Sequence, residues 1–229
     1  MHEEAAERDL RVIDATCPLV SKVHVEAGRH FEQGREIVLI GHAGHAEVEG
    51  TIGQVSAKVY LVQTVADVAL LEVKDPNKLA YITQTTLSVD DTRGIISALT
   101  DRFPSIVGPD VRDICYATQN RQQAVRDLAH QVDMILVVGS RNSSNSNRLR
   151  EIGQELGKPS YLIDDAEALQ AGWFDGIASV GVTAGASAPE TLVQGVLEGL
   201  RRFGEINIST QDGVAEDVRF RFPAQLADA

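Results

Sequence analysis

Cys17 and Cys115 are the only cysteines in this 229-residue chain, and each opens a stretch of the same layout. Gly41 closes the apolar run IVLI 24 residues after Cys17, and Gly139 closes MILVV 24 residues after Cys115. Thr83 and Gly181 each lie 66 residues past their cysteine, which gives a repeat period of 98 residues. A lone cysteine is most often a small buried hydrophobe. Two at equivalent repeat positions, each in a turn ahead of a helix whose dipole favours a thiolate, read instead as ligands for a soft metal or an iron-sulfur cluster. Two thiolates seldom hold a four-iron cluster alone, so the repeat predicts a third unit, and one period back from Cys17 falls before Met1.

The loops after the apolar runs carry the remaining chemistry. GHAGHAEVEG places His42, His45, Glu47 and Glu49 within eight residues. At a strand end His45 could donate to an anion and Glu47 could relay a proton. A solvated Gly-rich turn explains the same residues. In the second copy, SRNSSNSNRL sets Ser143, Ser144 and Asn145 just before a helix, where hydroxyls, amide and free N–H groups suit a phosphate or diphosphate. Plain helix capping needs only one of them. TAGASAPE offers Ser187 as a cap or anion donor ahead of Pro189, and TQTTLSVDD offers Thr85 and Thr86 with Ser88 as a cap. None of these loops has the Walker or dinucleotide spacing.

The elements that must position these residues alternate. A helix over 3–10 precedes a short strand, LRVID, and the Cys17 turn; a helix then runs from Pro18 to Phe31. EIVLIG, VYLV and LAYIT read as strands, with helices at VADVALL and VDDTRGIISALTDRF, before IVGPDVRDI leads to Cys115. The second copy gives helix RQQAVRDLAHQ, strand MILVVG, helix NRLREIGQEL, strand SYLID, helix DAEALQ, strand ASVGVT and helix PETLVQGVLEGLRRF. In the tail, INIST and DVRFRFP read as strand pieces outside the repeat. This alternation predicts α/β architecture, in open parallel sheets whose ligands gather at the carboxyl ends of the strands.

Composition narrows the partners. A net charge of −12 and a pI near 4.9 argue against nucleic acid or an anionic membrane surface. The apolar runs fall far short of the roughly 18 residues that span a bilayer, so a cytoplasmic protein with thiols kept reduced is expected.

Six segments, DATCPLVSKVH, IGHAGHAEVEGTIGQ, TQTTLSVDDT, DICYATQNRQ, VGSRNSSNSNRL and VGVTAGASAPE, together resemble the 4-hydroxy-3-methylbut-2-enyl diphosphate reductase family, in unbroken order from about Val12 to Phe203. The resemblance implies a trefoil of three α/β domains, each giving one Cys to a 4Fe-4S cluster. Two repeated open parallel α/β domains of it are recognisable here, the second over 17–113 and the third over 114–204, with 1–16 as a remnant of the first and 205–229 as a C-terminal tail. By motif, Cys17 and Cys115 resemble cluster ligands and Glu47 the acid that delivers protons. His45 resembles a substrate ligand, Thr85 the residue holding the proton relay, and Ser143, Ser144, Asn145 and Ser187 the diphosphate cradle. The implied reaction is reductive dehydroxylation of an allylic diphosphate to isopentenyl and dimethylallyl diphosphates, with reduced ferredoxin or flavodoxin as electron donor. With no counterpart of the first domain or its cysteine, this polypeptide alone is expected to be poorly active. A late-assigned start and a true loss of that domain both stay open, as do a non-catalytic remnant that binds a diphosphate and a zinc or dithiol site at the two cysteines.

Overall fold

EIVLI and MILVV have no polar residue to turn toward water beyond the first position, so each must be covered on both faces. In the computed structural model, which describes residues 2–109, 114–221, 223 and 226, each is the central strand of a three-stranded parallel sheet. The first lobe contains β1 (Glu36–Ile40), β2 (Val59–Val62) and β3 (Leu79–Thr83) in the order β2-β1-β3. The second contains β4 (Met134–Val138), β5 (Ser160–Ile163) and β6 (Val180–Ala184) in the order β5-β4-β6. Register is set by the central strands: Val38 lies between Tyr60 and Tyr81, and Leu136 between Tyr161 and Val182.

Successive residues of a strand face opposite sides, and both cores follow from that. Val38 and Ile40 pack with Ile95 and Leu99 of α5 (Val89–Arg102) and Val68 of α4 (Val65–Ala69). Ile37 and Leu39 pack against Val23 and Ala27 of α2 (Pro18–Glu32) and Val48 of α3 (Ala46–Ile52). In the second lobe Leu136 and Val138 meet Val196 and Leu200 of α8 (Glu190–Leu200). Ile135 and Val137 meet Val125 of α6 (Tyr116–Ala129) and Leu149 and Ile152 of α7 (Ser144–Glu155). The helix at the chain start, α1, covers His2–Glu7.

Several expectations are corrected. LRVID forms no strand: neither sheet pairs with it, and Leu10, Val12 and Ile13 stay exposed. The described tail is likewise strandless because no sheet edge accepts it, although Ile206 packs on the second lobe. Helix DAEALQ is only a 3-10 turn, Ala166–Ala168. The segment AEVEGTI, read as loop, is α3. Residues 110–113, within IVGPDVRDI, lie outside the described residues. The repeat also slips. β4 follows β1 by 98 positions (36 to 134), but β6 follows β3 by 101 (79 to 180), because α7 has 12 residues where α3 has 7. The counterpart of Thr83 is therefore Ala184, and Gly181 lies inside β6, where an added Cβ would fall 2.6 Å from Leu128 Cδ2.

Candidate functional site

The loop after β1 is shaped by what it must admit. At Gly41 a Cβ would come within 2.7 Å of Val48 Cγ2 and 3.1 Å of Gln84 Oε1, and Gly44 has φ +75°, which a side chain rarely tolerates. The chain then enters α3 at His45, whose Nδ1 accepts the backbone N–H of Glu47 at 3.2 Å. That bond occupies Nδ1 as an acceptor and leaves the ring proton on Nε2. Burial, then the neighbouring His42, lowers the His45 pKa from its ordinary 6.5, so the ring is neutral at pH 7 and donates through Nε2.

Glu47, one residue inside α3, reaches the loop after β3. Its carboxyl accepts Thr85 N–H at 2.6 Å and the Thr85 hydroxyl at 3.2 Å. Burial raises its pKa above the ordinary 4.5, and the two Thr85 bonds oppose without cancelling that effect. A half-buried carboxyl held toward its protonated form is suited to giving up a proton. Thr85 is 4% exposed, and its carbonyl accepts the N–H of Cys115 at 3.0 Å. One peptide segment thus ties the acid of the first lobe to the cysteine turn of the second.

Both cysteines occupy N-cap positions, Cys17 for α2 and Cys115 for α6, and neither thiol is spent on capping. Both are free, Cys17 exposed and Cys115 half-buried. Burial first, then the negative charge of Glu216, raises the pKa of the neighbouring Tyr116, with Arg121 opposing. In donor type and freedom each thiol suits one ligand position of a thiolate-bound metal cluster, so the pair would supply two of its ligands. Among the described residues no group of three or more His, Cys, Asp or Glu side chains is placed to hold a metal ion.

The second lobe repeats the loop design with different polar groups. Ser143 is the N-cap of α7 and accepts Ser146 N–H at 3.2 Å and the Ser146 hydroxyl at 3.1 Å. The Ser144 hydroxyl oxygen lies 3.4 Å from both Gln84 Nε2 and Thr86 Oγ1. Asn145, 98 positions beyond Glu47, is 6% exposed, and neither its Oδ1 nor its Nδ2 has a partner. A buried amide left empty-handed is costly, and a polar ligand relieves that cost. Ser187 stands exposed in the β6–α8 connection; the cap position of α8 is Pro189, so Ser187 does not fill it.

A cleft of about 780 Å³ opens where these loops meet, lined by His42 and His45 on one wall and Thr86, Ser144 and Arg148 on another. Glu47, Thr85 and the cysteines do not line it. The structure therefore brings together His45 with Ser144, and Glu47 with Thr85 and Cys115, whereas no hydrogen bond among the described residues draws Ser187 into either set. Sequence reading passed over Gln84, 1% exposed between the two walls, although it stands inside the quoted TQTT segment. It also passed over Arg148, which reaches Ser88 Oγ at 3.1 Å and Glu155 at 2.7 Å.

Comparison with known proteins covers this same ground. The chain is 58% identical, over all 229 of its residues, to the 4-hydroxy-3-methylbut-2-enyl diphosphate reductase of Burkholderia pseudomallei, of which it covers 73%. It is 61% identical over 227 residues to 4-hydroxy-3-methylbut-2-enyl diphosphate reductase 2 of Bradyrhizobium diazoefficiens, covering 99% of this chain and 74% of that one. The solved E-1-hydroxy-2-methyl-but-2-enyl-4-diphosphate reductase of Plasmodium falciparum superposes with a TM-score of 0.91 at 36% identity, over 98% of this chain and 71% of the other. The family profile described as LytB protein matches residues 1–201, a span that takes in both cysteine turns and every polar loop described above. On that match, and on relatives well above half identical across the whole chain, this chain belongs to the LytB protein family.

Proposed function

We propose that the chain acts as a 4-hydroxy-3-methylbut-2-enyl diphosphate reductase, breaking the allylic C–O bond with two electrons and two protons and releasing water with isopentenyl or dimethylallyl diphosphate. The observation that supports this reading is the chain of contacts from Glu47 through Thr85 to the backbone of Cys115, which joins a carboxyl whose pKa burial raises to the turn that carries a free cysteine. Cys17 and Cys115 are the residues of this chain that would hold a 4Fe-4S cluster. Such a cluster, when bound, supplies the electrons and a Lewis-acidic iron; reduced ferredoxin or flavodoxin would recharge it.

The protein's own part is positioning and proton supply. Thr85 orients the Glu47 carboxyl with two hydrogen bonds, and Glu47 delivers a proton to the leaving hydroxyl, which is a poor leaving group as hydroxide and a good one as water. Neutral His45 donates from Nε2, Ser143 and Ser144 donate from their hydroxyls, and Asn145 gives its unpartnered amide. These groups would offer a diphosphate hydrogen bonds at the N-terminus of α7, and Ser187, which stands exposed in the β6–α8 connection, is assigned to the same cradle by its motif alone.

The test is anaerobic reconstitution of the full chain with ferrous iron and sulfide, followed by an assay of both diphosphate products under a low-potential reductant. Glu47→Gln should keep the bound iron and lose turnover by about 10²- to 10⁴-fold, the range for a positioned general acid. Cys115→Ser should lower bound iron. A Glu47→Gln variant that turns over like the unmodified chain would overturn the assignment.

A further inference from the structure

We propose that Gln84 is a positioning residue that fixes the Ser144 hydroxyl as a donor into the interlobe cleft, and so presets that wall for an anionic diphosphate. This rests on the diphosphate reading above and adds the group that sets the polarity of the cradle.

The inference follows from which atoms can only donate. The backbone N–H of His42 donates to Gln84 Oε1 at 3.0 Å, and a backbone N–H cannot accept. The side-chain amide therefore cannot flip: Oε1 faces the β1–α3 loop and Nε2 faces the other way. There Nε2 donates to Thr86 Oγ1 at 2.8 Å and, over a longer 3.4 Å, to Ser144 Oγ. Thr86 Oγ1 stands 3.4 Å from Ser144 Oγ on the same side. Ser144 Oγ thus faces an amide N–H that cannot accept, so its own proton turns away from Gln84. Ser144 lines the cleft together with His45, whose Nε2 carries a proton for the same reason at its other nitrogen. The cleft also contains Asp90, Asp91 and Glu151, but these carboxylates face cations: Asp90 meets Arg126 at 2.6 Å, and Asp91 and Glu151 meet Arg148 at 3.7 and 3.5 Å.

The internal repeat is a built-in control. Gly185 occupies the position of Gln84 in the second lobe, as its N–H bonds the carbonyl of Val138 just as that of Gln84 bonds Ile40. A lobe of this fold therefore closes without an amide there. In the first lobe a Cβ on Gly41 would meet Val48 Cγ2 at 2.7 Å and Gln84 Oε1 at 3.1 Å, so the amide packs directly against this turn. Burying a Gln to 1% exposure is explained by what its amide bonds, and all three of its side-chain partners belong to this wall or to the loop that bears His45.

The experiment is a double-mutant cycle on the full chain, read as the dissociation constant of inorganic pyrophosphate by calorimetry. Gln84→Met should weaken binding about tenfold or more, as expected for losing direction in a hydrogen bond to a charged group. In a Ser144→Ala background the same change should cost no more than about twofold. Equal losses in both backgrounds would mean that Gln84 merely supports the loop and would overturn the proposal. If Gln84→Met does not fold, Gln84→Glu replaces it, keeping size and the acceptor for His42. Its charge acts in both backgrounds, so only the difference between them counts. Pyrophosphate failing to bind the unmodified chain would overturn the diphosphate reading itself, and this assignment with it.

Discussion

Glu47 and Asn145 sit at the same turn of equivalent helices, the first half-buried and the second buried, both at some cost to folding. For Glu47 that cost has a sign. Its folded pKa lies above the ordinary 4.5, so the folded state binds its proton more tightly than the unfolded chain does. Stability is therefore fully present below about pH 4.5 and declines as pH rises through the raised folded value. Glu47→Gln, which keeps an acceptor for the Thr85 N–H and can donate to the Thr85 hydroxyl, should match the unmodified chain in thermal melts at pH 4 and exceed it at pH 7 to 8; equal melting temperatures at both ends would contradict the burial argument. Asn145 costs stability at every pH because both amide atoms lack partners. Asn145→Leu should stabilise the ligand-free chain by about 1–2 kcal/mol in urea unfolding while abolishing pyrophosphate binding. A loss of stability would mean that the amide is satisfied in solution.

At the scale of elements, the decisive positions are the glycines where a strand hands over to a helix. A methyl on Gly41 would fall 2.7 Å from Val48, and one on Gly139 2.3 Å from the Ser146 hydroxyl that bonds the cap of α7. Gly41→Ala and Gly139→Ala should each cost about 1–3 kcal/mol by overpacking. Gly28, inside α2 with nothing within 4 Å of an added Cβ, should behave oppositely, gaining about 0.5–1 kcal/mol as Ala. Urea denaturation of the three variants checks both signs. These handovers also mark what the sequence could reveal. The central strands were legible because EIVLI and MILVV carry their burial in composition, and the site loops were legible because polar residues crowd just after them. Helix α3 was not, because its 7 residues follow two glycines and hold only Val48 and Ile52 at helical spacing. LRVID alternates as a strand should, yet a strand is made by its neighbour, and no local pattern reports that none is there. Gln84 was hidden for a related reason: its significance is a set of contacts across the lobes, not a motif.

The whole molecule depends on polar ties between the lobes rather than on a shared sheet. Gln122 of α6, 1% exposed, donates to the carbonyl of Leu87 at 2.8 Å and accepts Val89 N–H at 3.4 Å, while Arg126 meets Asp90 and Arg148 meets Ser88. These bonds fasten the start of α5 in the first lobe to α6 and α7 in the second, beside the loops that carry Glu47 and Ser144. Cutting the buried one leaves the Leu87 carbonyl unsatisfied, worth about 1–3 kcal/mol, and that loss falls on the coupling between lobes more than on either core. The single tryptophan makes this visible. Trp173 stacks on Tyr161 with ring centres 4.0 Å apart inside the second lobe, so its fluorescence follows that lobe, whereas far-ultraviolet circular dichroism follows both. In the unmodified chain the two signals should change together in urea, as a cooperative unit requires. In Gln122→Leu they should separate, and Cys115, held to Thr85 across the same seam, should become more reactive toward a thiol reagent before the tryptophan signal moves. Coincident transitions in the variant would place the cooperativity in contacts other than these ties.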